Sequence, residues 1–227
     1  MDELTKNDSG TRNDAPTATH RTPAGQLATN QSASEFTGRS SNPATDAALI
    51  AAFAALIVVL TLLPSINVSA SSVPITLQTL GVVLAGAVLG WRRGLLAVLL
   101  YLALGTVGLP VFAEQAGGLS TFSKPSVGYL VSFPFAAALC GFIVERLPRD
   151  EVALSAPLIF AAGAISSIVV VYPLGILGLM NRLDMDFGTA FDINWAYVPG
   201  DIAKTVVAAL VASAVHRAFP DLLPRRA

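Results

Sequence analysis

The last apolar segment of the chain begins with two charged residues inside an otherwise hydrophobic run. It reads YVPGDIAK over residues 197–204 and continues TVVAALVASAV over residues 205–215. Asp201 and Lys204 are three residues apart, so a helix would place them on one face, where they can act together. A charge at the centre of a bilayer costs roughly 2.5–3.5 kcal/mol on the insertion scale, and less near the interface. We therefore predict that the pair belongs to a polar pocket; the alternative is an interfacial ion pair whose Lys204 side chain extends outward to the membrane surface.

The composition is typical of a membrane protein. Of 227 residues, 53% are hydrophobic and 13% are charged, whereas a soluble domain carries about 25% charged residues. About twenty consecutive apolar residues span a bilayer. Residues 45–227 are therefore predicted to form an all-α integral membrane domain of six transmembrane helices in the lipid bilayer, at about residues 46–63, 74–90, 94–109, 126–144, 152–180 and 199–218. Thr45 and Asp46 are the expected cap of the first helix, and Pro157 and Pro173 predict a kink in the fifth.

Residues 1–44 differ sharply from the rest of the chain, because they are rich in Thr, Asn, Ser, Asp and Pro. Such a segment buries too little apolar surface to offset its ordering entropy. It also lacks the apolar core of a secretory signal. We predict a disordered polar tail over residues 1–44.

The basic residues predict the orientation of the helices. With the N-terminus inside, the inner loops and the C-terminus hold seven basic residues and the outer loops hold two, as the positive-inside rule requires. Both termini are therefore predicted to be cytoplasmic, the tail included. The outer connections, residues 110–125 and 181–198, are the long ones, and long loops often carry binding function. A ligand is expected at the outer face.

Motifs for catalysis and nucleotide binding are missing from the sequence. There is no phosphate-binding glycine loop and no Ser-His-Asp, His-Glu-x-x-His or paired-carboxylate arrangement. His20, His216 and Cys140 lack partners at metal-ligand spacing. We predict no enzyme activity, no metal, no cofactor and no nucleic-acid partner, and any ATP hydrolysis must come from another subunit.

Several other residues are candidates for binding. Ala47, Ala51 and Ala55 form a strip of small side chains on the first helix, which suits either internal packing or docking to another membrane subunit. Gly86-x-x-x-Gly90 leaves the same two options open. Gln78 is an amide in an apolar turn, and it could bind a ligand or another helix.

The first outer loop and the helix after it supply further candidates. Gln115 lies in this loop, and Gly117 and Gly118 allow unusual backbone angles or a close approach to a ligand. Tyr129 lies at the start of the fourth helix, where it is either an interfacial tyrosine or a ligand contact.

Five motifs in order together resemble one known family. They are VPITLQT at 73–79, YLALGTVGLPVF at 101–112, GGL at 117–119, PSVGYL at 125–130 and PGDIAK at 199–204. The chain resembles the BioY family, the biotin-specific substrate-capture (S) components of energy-coupling factor (ECF) transporters. It departs from that family's usual Gly-Pro-Thr/Ser-Gly-Gly-Tyr motif at Lys124 and Val127.

The resemblance implies a function, a site and partners. It implies a six-helix subunit of a prokaryotic plasma membrane that binds biotin near its outer face, with Asp201 and Lys204 contacting the ligand. Lys124 is a candidate to bind the ligand's carboxylate. The implied partners are a transmembrane coupling subunit and two cytosolic ATPases, which favours docking at Ala47, Ala51 and Ala55. The alternatives are an S component for another small vitamin and a solitary biotin carrier without ATPase.

Overall fold

The computed structural model describes residues 42–65, 73–148 and 155–223. Almost all of the predicted tail therefore lies outside the described residues. Within these ranges the chain is helical and forms no strand, and an isolated bridge joins Phe112 to Ala116. The six main helices are α1 (Pro43–Leu62), α2 (Gln78–Thr106), α3 (Val127–Arg146), α4 (Ala156–Leu183), α5 (Phe187–Trp195) and α6 (Val198–Ala218).

Five of these helices, all except α5, are long and apolar enough to cross a membrane. The prediction of an all-α, multi-pass membrane protein is therefore confirmed. Short 3₁₀ helices at Ala113–Gln115 and Leu119–Ser123 lie in the first long loop.

The first helix begins earlier than the sequence predicted. Its cap is Asn42, whose side chain accepts a hydrogen bond from the backbone N–H of Ala44 at 3.1 Å. Pro43 follows in the first turn, where its missing N–H costs nothing. The predicted cap at Thr45 and Asp46 was wrong, because both residues already lie within the helix.

The second and third predicted segments form one helical element, α2, which reverses direction at Gly90. Gly90 has φ 81° and ψ −179°, a backbone conformation essentially restricted to glycine. Gln78 Nε2 and Tyr101 Oη are 2.6 Å apart, whereas a straight helix would separate these residues by about 35 Å. Gly94 packs so closely on the other arm that a Cβ there would lie 2.9 Å from Gly86 Cα. α2 is therefore a tight helical hairpin.

The strip Gly86-x-x-x-Gly90 packs inside the protein. Gly86 lies against the backbone carbonyl of Ala137 in α3, and Gly90 lies against the side chain of Glu145 and the backbone of Gly141. A larger side chain at Gly86 would push α3 away from the hairpin, and one at Gly90 would displace the Glu145 carboxylate. The strip therefore belongs to the interior of the bundle.

We expect Gly90→Ala to destabilise the protein more than Gly118→Ala does. Gly118 has a similar backbone conformation, φ 81° and ψ 174°, but a Cβ added there would meet no neighbour within 4 Å. Both variants incur backbone strain of about 1–3 kcal/mol, and only Gly90→Ala also clashes with Glu145. Thermal unfolding of the two purified variants tests this. Equal losses would show that the Glu145 side chain moves aside at no cost.

The fifth predicted segment is α4, and its irregularity lies in the middle of the helix. Ser167–Val171 form a π-helical turn directly before Tyr172 and Pro173. A wider turn relieves the conflict between a proline ring and the preceding carbonyl. Pro157 causes no kink because it lies in the first turn. The π turn ends at Val171, which faces the cavity described below.

One end of the bundle is held together by charged groups. Arg93 forms an ion pair with Asp46 at 2.6 Å and donates to the carbonyl of Leu222 at 2.9 Å. A carboxylate oxygen of Glu145 accepts from the backbone N–H of Trp91 at 3.0 Å. The start of α1, the turn of α2, the end of α3 and the segment after α6 therefore meet at this end, which we call the basic end.

The second long loop contains a helix that the sequence did not predict. Asp186 caps α5 by accepting from the backbone N–H groups of Gly188 and Thr189 and from the Thr189 hydroxyl. These hydrogen bonds, the one from the Thr189 side chain first, hold the pKa of Asp186 below its usual value.

Candidate substrate-binding cavity

A cavity lies at the end of the bundle away from the basic end. Its empty volume is about 850 Å³, part of which is open solvent. The starts of α2, α3 and α6 and the segments before them form its wall. Five residues named from the sequence line it: Gln78, Lys124, Tyr129, Asp201 and Lys204.

The charged centre of the cavity is a triangle of three side chains. Lys204 Nζ is 3.0 Å from Asp201 Oδ1 and 3.2 Å from Thr79 Oγ1. Thr79 Oγ1 is in turn 3.2 Å from Asp201 Oδ1. The side chains of Lys204 and Asp201 are only 11% and 12% exposed. The triangle thus presents a carboxylate, an ammonium and a hydroxyl to one enclosed space.

The first turn of α6 explains why the two charges converge. Pro199 is accepted at the helix start, and the Asp201 N–H bonds to the Tyr197 carbonyl at 2.9 Å. At this position the helix dipole favours a negative charge. Lys204 then lies one turn along the same face. The buried face of α6 continues from Asp201 through Thr205 and Ala208, so the charged pair is turned toward the bundle.

Gln78 bonds to the other arm of α2 and also lies at the cavity wall. It is buried, lines the cavity and donates from Nε2 to Tyr101 Oη at 2.6 Å. Tyr101 in turn donates to the carbonyl of Val111 at 3.2 Å. The amide therefore ties the two arms of α2 to the first long loop while it lies at the cavity wall.

Tyr129 connects the cavity to α5 and α6. Its hydroxyl donates to Asn194 Oδ1 at 3.0 Å, and its ring meets the Tyr197 ring edge-on at 5.9 Å between centroids. Tyr197 donates to the carbonyl of Val73 at 3.1 Å. The Tyr129 ring also packs against Gly175, where a larger residue would collide with it. The aromatic wall is thus fixed from three sides.

Comparison with known proteins identifies the family. The model of the BioY family matches residues 29–221. The chain belongs to the BioY family. The biotin transporter BioY of Rhizobium etli is 45% identical over 184 residues, which cover 80% of this chain and 98% of that protein. The biotin transporter BioY of Rhodobacter capsulatus is 45% identical over 187 residues, 78% of this chain and 96% of the relative.

A solved structure agrees with the family assignment. It is the S-component for biotin from an ECF-type ABC transporter, with a TM-score of 0.73 and 26% identity. The match covers 79% of this chain and 95% of that structure. The resemblance drawn from the five sequence motifs is confirmed. The BioY relatives are named as transporters, which agrees with the prediction that the chain is not an enzyme.

Three predicted site residues of this BioY chain do not line the cavity: Gln115, Gly117 and Gly118. Instead they shape the loop behind its wall. Gln115 has φ 56°, Gly117 lies against the carbonyl of Leu109, and the Gly118 N–H bonds to the Gly105 carbonyl at 2.7 Å. The neighbouring Phe112, Ala113 and Glu114 form the cavity wall in their place.

Two polar residues of the wall have chemistry suited to an anion. Thr121 is 2% exposed, lines the cavity, and its hydroxyl has no hydrogen-bond partner among the described residues. A buried hydroxyl without a partner is costly. Lys124 follows one 3₁₀ turn later, exposed at the cavity wall, and its N–H bonds to the Thr121 carbonyl at 3.1 Å. Sequence reasoning named Lys124 but missed Thr121 and Thr79.

The alanine strip of α1 faces away from the rest of the described structure. Ala47, Ala51 and Ala55 are exposed, whereas Ala54 and Ile57 on the neighbouring face are 1% and 0% exposed. The strip is therefore free to contact lipid or another protein. No group of three His, Cys, Asp or Glu residues in the described ranges could hold a metal ion.

Proposed function

We propose that this protein captures biotin at the outer face of a prokaryotic plasma membrane and delivers it inward as the S component of an ECF transporter. The single observation that carries the proposal is the triangle of Thr79, Asp201 and Lys204 at the wall of the cavity, with both charged side chains largely buried. Membership of the BioY family and the names of the relatives support the choice of biotin. No bond of the substrate changes, and no cofactor is required.

The triangle matches the polar head of biotin. The ureido ring carries N–H donors, which a carboxylate accepts well, and a carbonyl oxygen, which accepts from an ammonium or a hydroxyl. Asp201 would accept from a ureido N–H, while Lys204 and Thr79 would donate to the carbonyl. The apolar thioether ring would lie against Phe112, Phe133 and the tyrosine wall.

The far end of the ligand would meet Thr121 and Lys124. Biotin ends in a carboxylate, which needs a cation or N–H and O–H donors once it is bound. Thr121 offers a hydroxyl without a partner in the described part of the chain, and Lys124 offers an ammonium at the same wall. The proposed pose therefore runs from the triangle to the first long loop.

This pose predicts how the protein discriminates between biotin and its primary amide. Wild type should bind the acid more tightly than the neutral amide, and Lys124→Gln should weaken acid binding by about tenfold while leaving amide binding unchanged. Titration calorimetry of both ligands measures this. The exposed Arg182→Gln at the same end of the bundle is the control. Equal weakening of acid and amide by Lys124→Gln would contradict the pose.

We also infer six membrane passes with both termini in the cytoplasm. The first arm of α2 would be about 18 Å long, shorter than the roughly 30 Å of hydrocarbon. The cavity and the segment before Gln78 would fill the remaining depth, and non-helical backbone is tolerated where it lines a cavity. Arg92, Arg93, Arg146 and Arg217 lie in the helix ends and turn at the basic end, which supports a cytoplasmic basic end.

Uptake would depend on a transmembrane coupling subunit and two cytosolic ATPases. The family and the similar S-component structure support this partner set, and the exposed Ala47, Ala51 and Ala55 would supply the docking surface. Small residues let helices approach closely in a membrane, where packing drives association.

Transport of labelled biotin distinguishes the leading function from its alternatives. We expect uptake only in cells that contain both this chain and the coupling module, and its loss when the ATPases are inactivated. Uptake that persists without the coupling subunits would favour a solitary carrier. Saturable binding of a different vitamin, with no competition by biotin, would favour an S component of other specificity.

A further inference from the structure

A ladder of three aromatic side chains runs along one face of α5. Phe187, Phe191 and Trp195 follow one another at intervals of four residues, and neighbouring ring centroids are 5.9 and 6.1 Å apart. The three residues are 60%, 43% and 63% exposed. We call this surface the aromatic ladder.

The other faces of α5 meet different surroundings. At about 100° per residue, the helix divides into three faces. Ala190 and Asn194 form one face, which is buried against the protein, at 0% and 3% exposure. Thr189 and Asp192 form a second face, which is polar and exposed. The aromatic ladder is the third face. A helix at the rim of a membrane protein needs this division, since it touches protein, water and lipid at once.

The connections of α5 keep it close to the membrane surface. α4 ends at Leu183 and α6 begins at Val198, and both are candidate membrane spans. Only residues 184–186 and 196–197 separate α5 from these spans, a reach of roughly 10 Å at most. The bond from Tyr129 to Asn194 also fixes α5 to the cavity end.

We propose that α5 lies flat in the membrane–water interface at the cavity end, with the aromatic ladder inserted among the phospholipids. Tryptophan and phenylalanine are favoured at the boundary between headgroups and acyl chains. Because Asn194 holds Tyr129, the lipid contact would also steady one wall of the cavity. The proposal concerns a lipid-binding surface, and its test does not depend on biotin binding.

Quenching of Trp195 fluorescence tests the position of the ladder. Trp91→Phe leaves Trp195 as the only tryptophan, and this variant is placed in phosphatidylcholine nanodiscs. Lipids brominated near the top of the acyl chains should quench Trp195 more strongly than lipids brominated deep in the chains, and more strongly than aqueous iodide. Quenching by iodide alone would overturn the proposal. Shielding from every quencher in discs that hold two copies would also overturn it, in favour of a protein–protein contact.

A second variant distinguishes the lipid contact of the aromatic ladder from general effects of substitution on the fold. Phe187→Ser with Phe191→Ser, in the Trp91→Phe background, should lose most of the shallow-lipid quenching of Trp195 while the protein stays monodisperse. The matched control is Phe219→Ser, because Phe219 is equally exposed, at 62%, beyond the far end of α6. This control should leave the quenching unchanged. Unaltered quenching in the double variant would show that the two phenylalanines do not hold α5 in the lipid.

Discussion

Asp201→Asn is expected to weaken biotin binding by about 100-fold or more. A hydrogen bond from the ligand to a charged group contributes about 1.5–3 kcal/mol, and the Asp201 side chain is only 12% exposed. The substitution keeps the size of the side chain but leaves the Lys204 ammonium without its countercharge. It also removes the proposed acceptor for the ureido N–H. Calorimetric titration of the purified variant with biotin gives the affinity directly.

Two companion variants show whether the pair binds ligand or only holds the helix. Asp201→Asn with Lys204→Gln restores neutrality, so it should insert and unfold like wild type yet still fail to bind biotin. Ile202→Ala changes a neighbouring residue that is 51% exposed, and it should bind normally. Wild-type affinity in Asp201→Asn and in Lys204→Ala would reduce the pair to a structural ion pair.

Ala51→Trp is expected to abolish coupled uptake while leaving biotin affinity unchanged. Ala51 is exposed on α1 and is not among the residues that line the cavity. A large ring in the centre of the alanine strip would prevent the close approach of a partner helix. Uptake in cells that carry the coupling module, and biotin binding by the purified variant, are measured in parallel.

Two control variants accompany this prediction. Leu99→Trp adds the same ring at another exposed position, in α2, where Leu99 is 43% exposed, and it should transport normally. Ala54→Trp places the ring where the residue is 1% exposed, so overpacking should destabilise the fold. If Ala51→Trp behaves like Ala54→Trp and loses biotin binding as well, the strip is an internal surface.

The sequence predicted the features that depend on neighbours along the chain. Apolar length identifies the membrane helices, and a spacing of three residues places Asp201 and Lys204 together in α6. Gly90 correctly marks the end of a helical arm. That the next arm folds directly back on the first could not be predicted, because it depends on the contact of Gly86 with Gly94.

The features that escaped prediction depend on long-range packing. Thr79 joins the charged pair from a position 122 residues away, and no local pattern connects α2 to α6. Thr121 is distinctive only because its hydroxyl is buried without a partner among the described residues. The sequence did not predict α5, because its nine residues divide into three faces. A helix is recognised from sequence by one apolar and one polar face. The sequence predicted unusual backbone angles or a close approach to a ligand at Gly117 and Gly118. In the structure these glycines shape the loop and do not line the cavity.

Equilibrium binding of biotin to the purified wild-type protein in nanodiscs tests the central claim most directly. We predict saturable binding at one site per chain, competed by unlabelled biotin and not by unrelated vitamins, and lost in Asp201→Asn. A wild-type protein that binds no biotin, or an Asp201→Asn variant that binds it as tightly as wild type, would contradict the account.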